Sequence, residues 1–130
     1  MSTSKKLWIA GWVISALMAL VLMGPSAMGK LTDWEGKEKM LAESGFTVDL
    51  MKKIGILEIA IAVVYLIPQS SFLGAILLTG YLGGAVVTDL RVGQSFIAPI
   101  IIGVLVWVGL ALRRPEIWRL TLGGGTAEKG

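Results

Sequence analysis

Glu58 is the residue in this chain best suited to chemistry. It is a carboxylate inside IGILEIAIAVVYLI (residues 54–67), a stretch that is otherwise uncharged. In a bilayer such a group costs roughly 2.5–3.5 kcal/mol or more, so it must be neutral, paired or turned toward water. Gly55, Glu58, Ala62 and Tyr65 recur at i, i+3, i+7 and i+10 and share one helix face, opposite a face of Ile and Val. That spacing turns Glu58 inward, away from lipid. Tyr81, Gly84 and Thr88 share a face of the next apolar stretch in the same way, and Asp89 and Arg91 follow them. The candidate ligand-binding set is therefore Glu58, Tyr65, Tyr81, Gly84, Thr88, Asp89 and Arg91, with a proton-accepting or headgroup-binding carboxylate at its centre. The competing reading is a structural clasp from Glu58 to Arg91 or Thr88, a common use of polar groups between membrane helices. For Asp89 and Arg91 the ordinary fate is solvation or pairing with a neighbouring loop.

The chain has no Cys and no His. That removes thiolate chemistry, imidazole bases and the usual soft metal ligands, and no metal site or cofactor motif is expected. A net charge of +3 over 130 residues carries no basic stripe of the kind nucleic acids need.

The elements that position these residues are apolar spans. The composition is 55% hydrophobic and 16% charged, with a mean hydropathy of +0.76. Charges are absent over 7–29 and again over 92–112. About 20 apolar residues cross a ~30 Å hydrocarbon core. The reading is all-α: an integral membrane four-helix bundle with short interfacial helices in the first loop, spans at about 7–28, 50–67, 72–90 and 96–112, and one domain over 1–122. Residues 123–130 read as a flexible tail.

In the first span Gly11, Ser15 and Ala19 offer a small-residue seam, and Gly24-Pro25 marks an end or a kink. Residues 30–53 are the long polar segment, with breaks expected at Gly36 and Gly45. Pro68-Gln69-Ser70-Ser71 is a turn short enough to make the second and third spans antiparallel neighbours. In the third span Gly80, Gly83 and Gly84 thin one flank for a close helix approach, within the bundle rather than as a dimer seam. Trp8, Trp12, Trp107 and Trp118 read as interface anchors. An even span count puts both termini on one side, and the positive-inside pattern assigns that side to the cytoplasm of a multi-pass cell-membrane protein.

IGILE (54–58), YLIPQS (65–70), LGAILLTGYLGGAVVTDLRVG (73–93) and GVLVWVGLALR (103–113) resemble the DoxX-like family of small bacterial four-helix membrane proteins, with a weaker match at GKL (29–31). The resemblance covers about residues 10–120. It implies a membrane four-helix bundle in the inner membrane. It also implies a link to membrane oxidoreductase complexes, since the family's namesake resembles the small membrane subunit of a thiosulfate:quinone oxidoreductase. More distant relatives resemble membrane chaperones or cargo receptors. No catalytic residues carry over. Where relatives read Thr-His-x-Arg, this chain reads Thr88-Asp89-Leu90-Arg91, and a carboxylate replaces an imidazole.

The expected function is an accessory subunit of a membrane redox system, without catalysis of its own, that holds a quinone or lipid between its helices. Membrane lipids and a redox partner protein are the expected partners, and oligomerisation stays open. The alternatives are a non-enzymatic scaffold or chaperone for other membrane proteins and, more weakly, a small transporter or channel.

Overall fold

A computed structural model describes residues 3–123, and every element among them is helical. The expected tail beyond Gly123 lies outside the described residues. Helices cover all four apolar stretches. α1 (Thr3–Val21) passes through a π-helical turn (Leu22–Ser26) into α2 (Ala27–Leu31), and α3 (Lys37–Ser44) follows in the polar segment. Next come α4 (Val48–Leu66), α5 (Ser71–Arg91), α6 (Ile97–Arg113) and α7 (Glu116–Leu122). Two continuous helical segments, Lys5–Leu31 and Pro68–Arg91, are long and apolar enough to cross a membrane. α6 is a shorter apolar helix.

Local chemistry accounts for the boundaries. Pro25 has no N–H to donate and its ring crowds the preceding turn, so the helix widens there instead of ending. The Ala27 N–H reaches back to the Leu22 carbonyl, five residues away, and the chain stays helical to Leu31. Gly36 and Gly45 bound α3 with φ of 83° and 84°, a left-handed geometry that glycine adopts without strain. Thr47 caps α4 by accepting from the Leu50 N–H at 3.0 Å. α4 stops before Pro68, and the serines that follow satisfy its last carbonyls. Ser70 Oγ donates to Val64 O at 2.8 Å, and Ser71 Oγ to Tyr65 O at 2.8 Å.

The long helices contact one another in a ring: α1 on α6, α6 on α5, α5 on α4, and α4 on α1, the π turn and α2. Leu22, Tyr65, Leu78, Val106 and Leu110 form the centre of the core. α7 follows the last span, and its Ile117 joins them. The expected glycine packing is corrected. A Cβ on Gly80, Gly83 or Gly84 would meet nothing within 4 Å. Close approach occurs instead at Gly11, where a Cβ would lie 2.7 Å from the Gly109 carbonyl, and at Gly109, where it would lie 2.7 Å from Ser15 Oγ. Gly74 lies just as tightly against the Tyr65 backbone. The third-span glycines border open grooves.

Candidate functional site

Glu58 is fully buried in the middle of α4, as its helical register requires. Its partners come from across the π turn. Ser26 Oγ donates to Glu58 Oε2 at 2.6 Å, and Lys30 Nζ to Oε1 at 3.0 Å. The Lys30 ammonium also donates to Ser26 Oγ at 2.9 Å and to Ser26 O at 3.2 Å, so its three N–H groups all have acceptors. Lys37, itself buried, donates to Lys30 O at 2.8 Å and Thr32 O at 2.6 Å, and so fixes the end of α2 that carries Lys30. Both carboxylate oxygens accept strong hydrogen bonds and a cation lies against one of them, which offsets part of the cost of burying the group.

The clasp expected from Glu58 to Arg91 or Thr88 is therefore replaced by Lys30 and Ser26. Thr88 Oγ1 donates within its own helix, to Gly84 O at 2.9 Å. Arg91 is exposed at the end of α5, and its guanidinium lies beside Gly45 of the loop after α3. It forms no ion pair with Asp89.

A cavity of about 580 Å³ adjoins the ion pair. Glu58, Tyr81, Gly84, Thr88 and Asp89 line it together with Ser26 and Lys30, and Leu22, Leu57, Pro99 and Ile102 supply apolar wall. Tyr81 and Glu58 line the same cavity. Because Gly80 and Gly84 carry no side chain, the wall formed by α5 is open where a larger residue would fill the space.

Of the seven sequence candidates, five share this cavity and two do not. Arg91 lies outside it. Tyr65, two turns along α4 from Glu58, is fully buried in the core instead. Its hydroxyl donates to Val106 O at 2.6 Å and lies 2.9 Å from Ser15 Oγ. Ser26 and Lys30 are the site residues that sequence reasoning missed. The signal was present: the row Gly11, Ser15, Ala19, Leu22 continues to Ser26 and Lys30 in steps of three and four. Among the described residues no three acidic side chains cluster as a metal site would need.

This arrangement can bind a molecule that is mostly apolar and carries a hydrogen-bonding head. Tyr81 offers a donor, Asp89 and Glu58 acceptors, and most of the remaining wall is hydrocarbon. The sequence profile of the DoxX-like family matches residues 13–109. The chain belongs to the DoxX-like family. No curated relative and no solved structure matches it. In this DoxX-like chain the matched segment contains every residue of the Glu58 cavity named above and ends before Arg113.

Proposed function

We propose that the protein is an integral membrane protein of four spans that holds a quinone or lipid beside Glu58, and that it serves as an accessory subunit of a membrane redox system. The cavity carries the ligand reading. At about 580 Å³ it falls within the ~300–1,000 Å³ typical of ligand pockets, and its few polar groups converge at one end of an apolar wall.

The membrane reading is supported by where apolar side chains point. Ile56, Leu57 and Val63 of α4, and Ile100, Ile101 and Val104 of α6, are exposed on the outside of the ring. Water disfavours so continuous an apolar surface, whereas lipid does not. At about 1.5 Å rise per residue, 19 residues of α4 and 17 of α6 approach the thickness of the hydrocarbon core.

A bound quinone would supply two-electron, two-proton redox chemistry. The residues present fit its head. Tyr81 can donate to a carbonyl oxygen beside the Lys30–Glu58 ion pair. The redox role is inferred from the resemblance to the DoxX-like family, whose namesake resembles a membrane subunit of an oxidoreductase.

A second reading has its own observation. Both Glu58 oxygens are engaged by the protein, as they would be in a scaffold whose ion pair only joins helices. Gly84→Leu separates the two, because it fills the cavity without touching the ion pair. The protein is purified in mild detergent from quinone-containing membranes and its extract quantified by mass spectrometry. The ligand reading expects near-stoichiometric quinone or one selected lipid in the wild type and at least tenfold less in Gly84→Leu. Equal content in both, or bulk lipid alone, supports the scaffold.

A further inference from the structure

Arg113, at the end of α6, is only 7% exposed, and its Nε and Nη2 atoms are buried with no hydrogen-bond partner. Its guanidinium stacks on Trp12 at 4.1 Å from the ring centroid and lies 5.1 Å from the centroid of Tyr65. Aromatic faces stabilise a cation but accept none of its in-plane N–H groups. The carboxylate nearest in sequence, Glu116, is engaged elsewhere. It pairs with Arg114 at 3.4 Å, and its carboxyl is held below the usual carboxylate range, chiefly by a backbone hydrogen bond and further by Arg114.

A cavity of about 200 Å³ opens at this point, lined by Trp8, Trp12, Pro68, Ser71, Arg113 and Arg114. It lies between the start of α1, the turn from α4 to α5 and the end of α6. Liquid water occupies about 30 Å³ per molecule, so the space admits a group of several heavy atoms. Arg114 is held at its rim by donating to Pro68 O at 3.3 Å. The guanidinium fork matches two oxygens of one phosphate or carboxylate, and an unpaired buried charge is among the costliest features a fold can carry.

We propose that Arg113, with Arg114 at the rim, binds an oxyanion in this cavity, either the phosphodiester of an anionic phospholipid or a free phosphate. This site is distinct from the Glu58 cavity, and only its lipid source rests on the membrane reading. Trp8, half exposed, and Trp12, partly buried against the fork, suit the headgroup level of a bilayer.

The test measures thermal unfolding and native mass spectra of the full chain in a neutral detergent. Short-chain phosphatidylglycerol, short-chain phosphatidylcholine and inorganic phosphate are titrated separately at matched ionic strength. The expected result is a saturable rise in melting temperature with one molecule bound. Phosphatidylglycerol alone acting identifies the lipid source, and inorganic phosphate acting as well identifies the free anion. Arg113→Met is expected to fold, to melt without any added anion no lower than the wild type, and to lose the response at least tenfold. Arg113→Lys keeps the charge without the fork and is expected to bind several-fold more weakly. If Arg113→Met does not fold, the wild-type titration and Arg113→Lys decide. Absence of a saturable response in the wild type, or an undiminished one in either variant, would overturn the proposal.

Discussion

Two cations, the partly buried Lys30 and the buried Arg113, are treated in opposite ways. Lys30 meets a carboxylate, a hydroxyl and a carbonyl, all supplied by the chain. Arg113 meets two aromatic faces and leaves two of its nitrogens without acceptors. The sites stand at different levels of α4: Glu58 is in its middle, and Tyr65, beneath Arg113, is about 10 Å farther along by helical rise. A buried charge that the chain pairs is part of the fold, and removing either partner should weaken it. A buried charge left unpaired indicates a ligand from outside, and removing it should leave the fold intact.

The largest expected effect breaks the paired end. Glu58→Ala leaves Lys30 charged and partly buried, and should cost about 3–5 kcal/mol in denaturant unfolding followed by circular dichroism. Replacing both partners, Glu58→Leu with Lys30→Met, should recover most of that loss, because the desolvated pair is then gone. A loss below about 1 kcal/mol for the single change would mean that the ion pair is not holding the helices. The glycines give the next contrast. Gly109→Val drives a side chain into Ser15 and Gly11 and should cost at least about 1–3 kcal/mol. Gly80→Ala meets open space and should be neutral or stabilising by up to about 1 kcal/mol in the same assay.

Tyr65→Phe sharpens the boundary between the two ends. It removes the hydroxyl shared by Val106 O and Ser15, and should cost about 1–2 kcal/mol. Ligand content at Glu58 should not change, and a drop would return Tyr65 to that site. The smallest effect is at Glu116. Its folded pKa is lowered, so its contribution is present above the unfolded pKa and fades as pH falls through the carboxylate range. The group is exposed, so Glu116→Gln should shift neutral-pH stability by less than about 0.5 kcal/mol and leave acid stability unchanged.

The four long helices were legible because charge exclusion and the 3.6-residue period both act locally along the chain. The inward aim of Glu58 followed from the same period. Its partner did not, since Gly24-Pro25 reads as an end or a kink, the first span closes at about residue 28, and Lys30 falls in the polar segment beyond it. A π turn instead carries the helix past Pro25 and swings Ser26 and Lys30 onto α4. Tyr65 was assigned to the site because it shares a face with Glu58. A helix face runs the length of the helix, however, and Tyr65 meets different neighbours farther along it. The third-span glycines show a similar limit. A glycine row permits close approach, but only the packed helices decide whether one approaches, and here Gly11, Gly74 and Gly109 take that role. α7 was missed because its stability rests on Ile117 reaching a core formed by distant residues.

The central claim is that the cavity beside Glu58 takes a quinone-like amphiphile while the ion pair next to it serves the fold. The most direct test is a titration of wild-type protein and Gly84→Leu with a short-chain ubiquinone, followed by melting temperature. The account predicts equal melting without ligand, a saturable rise in the wild type, and a flat response in the variant. An equal rise in both proteins would contradict it, because the quinone would then be binding somewhere other than the cavity.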